Sequence, residues 1–186
     1  MKTMRRIPRF FAFLAFCCGC ATTLVRENPG NSALAEALLA EIKGVRVQSV
    51  NGAWKDEAFA AECVLKGDGK KFTAVLLAAQ MRLATLTVER PHTMRWERAP
   101  QVPATLDPEH VMFDLALAAL STDTLAKALG NGYRVDETAD GKRRTVFDVK
   151  RNELHSVRQI LPEGDVYFRN VPYGYEFTVK TVSDEN

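Results

Sequence analysis

The stretch 107–130, DPEHVMFDLALAALSTDTLAKALG, constrains this chain more than any other. Asp107 is suited to cap a helix, and Pro108 to its first position, where a missing N–H costs nothing. Ser121 or Thr122 can cap a second, shorter helix, and Gly130 supplies the residue type that most readily ends one. Val111, Met112, Phe113, Leu115, Leu117 and Leu120 make the first helix apolar nearly all round, with Asp114 the one clearly polar residue after its first turn. A helix of that kind is buried, or it covers something apolar.

On either side the sequence reads as short strands of antiparallel sheet. A first helix is expected from Ser32 through Ile42, with Leu34, Leu38, Leu39 and Ile42 at helical spacing and Gly44 closing it. Asn51-Gly52 and Asp68-Gly69 then read as hairpin turns, because tight two-residue turns need positive φ. Residues 72–79, 81–90 and 93–98 alternate as strands, and Pro100 and Pro103 stiffen the link to the helical stretch. Beyond Gly132, strands are expected at 133–137, 143–149, 154–161, 166–170 and 175–182, with turns about every 10–12 residues. The last of them alternates cleanly, Tyr175, Phe177 and Val179 against Glu176, Thr178 and Lys180. One apolar and one wet face per strand implies a single sheet. Ten or so strands must curl or close. The fold class is therefore α+β: a curled antiparallel sheet, an incomplete barrel, with an N-terminal helix and a helical lid inserted mid-chain. If a ligand lies beneath that lid, Met112, Phe113, Leu115, Trp96 and Phe177 are the residues expected to line its cavity.

The first residues address the chain rather than build it. Lys2, Arg5, Arg6 and Arg9 precede the apolar run 10–16, and small residues follow, the three-part pattern of a secretory signal. That run is too short to span a bilayer, which takes about 20 residues of helix. Cys17-Cys18-Gly19-Cys20 resembles a bacterial lipobox, with Cys20 as the lipidated residue. Cys17 stands where the pattern prefers Leu; a frame ending at Cys17, and an ordinary cleaved signal, are the alternatives. The organisation expected is a signal at 1–19, a polar tether at 20–31 and one domain at 32–186. Loss of the signal changes the formal charge from +2 to −2. The mature chain then has no general attraction for nucleic acid or anionic lipid. Ala21 follows Cys20. In the sorting rule of enteric bacteria, Asp at that position retains a lipoprotein in the inner membrane, so Ala21 directs it to the outer membrane, facing the periplasm.

Candidate chemistry is sparse. His92, His110 and His155 lack metal-ligand spacing, and no nucleophile elbow or phosphate loop is present, so neither an enzyme nor a cofactor is expected. Cys63 shares a strand face with Phe59 and Leu65 and reads as a small core residue. In Lys142-Arg143-Arg144, strand alternation sends the two arginines to opposite faces. Asp114 needs a buried partner, with Arg95 and Arg134 as candidates.

The order RLATLTVERPHTMRWERAPQVPATLDPEHVMFDLALAAL, a TLAKAL helix and a closing GYEFTVKT resemble a family of bacterial lipoproteins built on a domain of unknown function. That family is typically encoded beside aryl-polyene pigment genes, and it is similar in layout to the lipoprotein carrier LolA and the outer-membrane receptor LolB. The resemblance implies an open barrel with a lid, an apolar cavity and a membrane tether, and it carries no catalytic residues over. Two readings follow. In the first, the protein binds or hands over a hydrophobic ligand at the outer membrane: an acyl chain of a lipid or lipoprotein, or an aryl-polyene lipid. Its partners would then be the membrane, the ligand, and periplasmic carrier or biosynthetic proteins. In the second, it is a structural or adaptor lipoprotein with a filled core. A cavity of about 300 Å³ or more beneath the inserted helices would favour the first.

Overall fold

The structure is a computed structural model that describes residues 22–27, 32–55, 57–91, 93–103 and 106–185. The signal, Cys20 and His92 lie outside the described residues. Eleven strands form one antiparallel sheet: β1 (Thr22–Glu27), β2 (Lys43–Trp54), β3 (Glu57–Asp68), β4 (Lys71–Ala78), β5 (Met81–Glu89), β6 (Thr93–Arg98), β7 (Tyr133–Glu137), β8 (Arg143–Asp148), β9 (Glu153–Ile160), β10 (Val166–Asn170) and β11 (Tyr175–Glu185). Their order across the sheet is β1-β6-β5-β4-β3-β2-β11-β10-β9-β8-β7. Among the described residues β1 and β7 do not pair, so the barrel stays open, as the alternating sequence implies. Among the described residues three α-helices accompany the sheet, α1 (Ser32–Glu41), α2 (Pro108–Ala119) and α3 (Thr122–Leu129), and a 3-10 turn follows at Gly130–Gly132.

Two hairpin meanders make the sheet, β2 to β6 running outward one way and β7 to β11 running back the other. They meet along one seam, where β2 pairs with β11 from Trp54 opposite Tyr175 to Val45 opposite Glu185. This order puts β6 near one edge and β7 at the other, so α2 and α3 must cross the sheet to connect them. Flat, those strands would stand about 43 Å apart. The two helices together span about 30 Å. Curling brings the ends within reach, helped by register shifts at Leu76/Leu77, Val146/Phe147 and Thr181/Ser183.

The core lies between the helices and the inner face of the sheet. From α1 come Leu34, Leu38 and Leu39, all buried. The sheet contributes Phe72, Leu86, Val88 and Met94, and the crossing helices Met112, Leu117 and Leu125. Fully burying a leucine is worth about 1.5–3 kcal/mol, so α1 is held by packing rather than by helix propensity.

Two expectations from sequence need correction. Asn51-Gly52 is not a turn: it lies within β2, and the chain reverses only after Lys55, at φ 47°. A Cβ on Gly52 would fall 2.3 Å from the Glu176 carbonyl oxygen and 2.5 Å from the Phe177 Cβ, so this glycine serves close approach across the seam. In the stretch read as a tether, residues 22–27 pair with β6 as β1. β6 would otherwise present an open edge, and TTLVRE is rich in β-branched residues.

The seam gives a stability test. Gly52→Val should lower stability by about 2 kcal/mol or more in urea titrations, because the added atoms meet backbone. Gly132→Ala, with nothing within 4 Å of its Cβ position, should change it by about 0.5 kcal/mol or less.

Candidate functional site

Helix α2 is positioned from both ends. At its start Asp107 accepts from the Glu109 N–H at 2.8 Å, and Pro108 takes the first helical position. At its end Arg144, only 6 % exposed, donates to the Leu120 carbonyl at 2.6 Å and the Leu117 carbonyl at 3.2 Å. These carbonyls have no partner within the helix, and a cation suits a helix C-terminus. Arg144 also pairs with Glu137 at 3.0 Å, and Glu137 accepts from the Thr122 hydroxyl at the start of α3. Alternation placed Arg143 and Arg144 on opposite faces; that the inward one would hold α2 had no sequence signal, because the partners are backbone atoms.

Asp114 ties the middle of α2 to the sheet. It is half-buried and accepts from the Tyr175 hydroxyl and from Asn170 Nδ2 at 3.3 Å, while Asn170 Nδ2 also reaches the Tyr175 oxygen at 3.1 Å. Neither expected arginine is the partner. Arg95 is exposed, and Arg134 pairs with Asp136 at 3.1 Å and lies over the Phe147 ring. Burial raises the Asp114 carboxyl to about 7 against the opposing pull of its two donors. The Tyr175 hydroxyl is pushed up as well, by burial and by the Asp114 charge.

Beside the first turns of α2 is a cleft of about 190 Å³ whose lining includes Leu34, Met112, Phe113, Tyr133, His155 and Tyr173. His110 and Asn170 also border it. Its walls are largely aromatic: the His155 ring lies 4.6 Å from Phe113 and 5.2 Å from Tyr133, edge-on to the latter, and His110 packs on Tyr173. Burial lowers the pKa of both histidines, which favours the neutral imidazole, and the Glu109 carboxylate also borders the cleft. His155 Nδ1 is 2.8 Å from the Ser156 hydroxyl. A second cavity, about 140 Å³, lies beside the end of α2 against Ile42, Arg46 and Leu65. Both fall below the ~300 Å³ typical of a preformed ligand pocket. Directly under α2 the space is filled: Met112, Ala116 and Leu117 are wholly buried.

Of the residues expected to line a ligand cavity, Met112 and Phe113 border the cleft. Leu115 is partly buried at the margin of the core, and Trp96, at 5 % exposure, is inside it. Phe177 stacks between Phe168 at 5.1 Å and Tyr175 at 6.0 Å. The histidines at the cleft were missed because nothing in their spacing joins His110 on a helix to His155 on a strand. Cys63 is largely buried, which raises its thiol to about 11 and makes it a poor nucleophile. Among the described residues, no group of His, Cys, Asp and Glu side chains is placed to hold a metal ion.

These features define an open antiparallel half-barrel crossed by an apolar helix, with an aromatic cleft at one end of the crossing. The chain belongs to the family described as "Protein of unknown function (DUF3261)", whose profile matches residues 45–183. No curated protein matches it. Among solved structures it is similar to a DUF1329 family protein from Desulfovibrio piger, at 8% identity and TM-score 0.42, covering 84% of this chain and 92% of that one. It is also similar to a LolA superfamily protein from Nitrosomonas europaea, at 11% identity and TM-score 0.34, covering 82% and 90%.

Asp114 makes stability depend on pH. Its folded pKa, about 7, exceeds the unfolded value of about 3.9, so the folded state holds a proton that the unfolded state has released. The stability it contributes is complete below about pH 4 and is lost as pH rises to about 7. Asp114→Asn should flatten that decline. At pH 8 it should be more stable than the parent by about 2–4 kcal/mol, with little difference at pH 4, in thermal or urea melts at the two pH values.

Proposed function

We propose that this protein is a lipoprotein anchored through Cys20 in the outer membrane, facing the periplasm, and that it binds or hands over a hydrophobic ligand without catalysing a reaction. The ligand is of acyl type, carried by a lipid, a lipoprotein or an aryl-polyene lipid. The observation that carries this reading is α2: an apolar helix laid across an open sheet, with an aromatic cleft at one end. Apolar contact supplies affinity there, and the few polar groups fix orientation. At about 190 Å³ the cleft admits only part of a chain, so uptake requires α2 to move away from the sheet. Its ties suit a hinged cover, because they are a few polar contacts, at Asp114 and Arg144, that can be remade.

The second reading, a structural or adaptor lipoprotein with a filled core, is favoured by one observation. Met112, Ala116 and Leu117 of α2 are wholly buried. Uptake of an apolar probe separates the two. Protein purified gently from its native membranes should carry an acyl species visible by mass spectrometry and should take up a fluorescent fatty acid. Repeated recovery of ligand-free protein that takes up no probe would leave the adaptor reading.

Anchoring has its own test. Cys20→Ser should shift the protein from the membrane to the soluble periplasmic fraction, and unchanged membrane attachment would refute Cys20 as the anchor.

A further inference from the structure

Arg158 of β9 lies directly opposite Arg144 of β8, so both side chains are on the helix-covered face. Like charges directly opposed across an antiparallel pair destabilise it, and here one is buried and the other half-buried. Glu137 pairs with Arg144, which spends its remaining donors on the end of α2. Arg158 has no hydrogen bond or ion pair among the described residues, and the Nε atoms of both arginines are buried without a partner. Burial and the Arg144 charge both depress the Arg158 pKa from its usual range. Glu137, already bonded to Arg144, is among the described residues the one carboxylate that offsets this, so two guanidiniums share a single anion and the arrangement is short of one.

The strand register says what adjoins that missing anion. Arg158 is opposite Phe168, Phe168 opposite Phe177, Phe177 opposite Gly52, and Gly52 opposite Phe59. Directly paired residues share a face, so these form one row across the inner surface. Phe168 and Phe177 stack at 5.1 Å, Phe168 is buried in the core, and Phe59 at the far end is 37 % exposed. From Arg158 to Phe59 the row runs four strand spacings, about 19 Å. That is of the order of one acyl chain, half of a ~30 Å bilayer core.

We propose that, when α2 moves away from the sheet, this row binds an anionic amphiphile, with its oxyanion, carboxylate or phosphate, on the guanidinium of Arg158 beside Arg144 and its acyl chain laid over Phe168, Phe177 and Phe59, the first of which is buried until then. The guanidinium fork matches either oxyanion. This inference rests on the hydrophobic-ligand reading above and names the class of ligand.

The test uses the full chain in a non-ionic detergent, titrated calorimetrically with octanoate, octyl phosphate and 1-octanol, which share a chain and differ in the head. Both anions should bind about 10-fold tighter than octanol, and the tighter of the two identifies the head as carboxylate or phosphate. Arg158→Gln should abolish that advantage and leave octanol binding unchanged, and Arg158→Lys should restore part of it. Without ligand, Arg158→Gln should melt no lower than the parent, because it removes a repulsion. Equal affinities for all three compounds, unaffected by Arg158→Gln, would overturn the anion site and leave the hydrophobic-ligand reading standing. If none of the three binds, the hydrophobic-ligand reading fails, and inorganic phosphate alone decides the site. A rise in melting temperature in the parent that is absent in Arg158→Gln would retain the oxyanion contact, and no rise would end it.

Discussion

The pairing of β2 with β11 is the constraint on which the rest of the structure depends. It joins the first body strand of the chain to the last, a contact between segments far apart in sequence, and its closure is entropically costly before it stabilises anything. Once made, it puts the two meanders side by side with β6 and β7 at opposite sides of the sheet. The connection between them must then traverse the inner face. The cover is thus a consequence of strand order, and its apolar composition is the condition for lying there without loss. Gly52 stands at this seam, where no larger residue fits against Glu176 and Phe177.

Given that crossing, two polar ties determine how α2 sits. Asp114 engages Tyr175 and Asn170 of the second meander, and Arg144, also from it, engages the last carbonyls of the helix. Apolar packing alone is non-directional and would tolerate sliding. Buried polar contacts do not, because a shift leaves each of them unsatisfied. The same property makes them suitable latches: a ligand that competes for the inner face needs to break only a few contacts, all within one helix's reach. The aromatic cleft adjoins the start of that helix and the Arg144–Arg158 end of the row adjoins its end, so movement of α2 affects both.

Much of the architecture was legible in the sequence, for local reasons. Asp68-Gly69, Asp140-Gly141 and Glu163-Gly164 are turns because glycine takes positive φ there, at +85°, +68° and +91°. The caps at Asp107 and Ser121 formed as their side-chain chemistry requires. Asn51-Gly52 misled because the same dipeptide that favours a turn also permits close strand approach, and only the neighbouring strand decides between them. The turn at Ala79-Gln80 shows the converse. Both residues adopt positive φ without glycine or asparagine, imposed by the long pairing of β4 with β5. At the site, Met112 and Phe113 were readable from helical spacing, while His110, Tyr133, His155 and Tyr173 were not, since they come from four separate elements.

The sequence by itself determined the strand and helix content, the single antiparallel sheet and the need of residues 107–130 for burial, because these follow from periodicity, turn chemistry and capping within a few residues. Tertiary structure decided the partners of the buried charges. Asp114 met a tyrosine and an asparagine instead of an arginine, Arg144 met helix carbonyls and Glu137, and Arg158 was left to share that one carboxylate. It also decided that residues 107–130, read from sequence as a cover over a cavity, fill most of the space beneath them and leave a cleft at one end. Such outcomes depend on the register between strands distant in the chain, where a shift of one residue exchanges the faces and with them every partner.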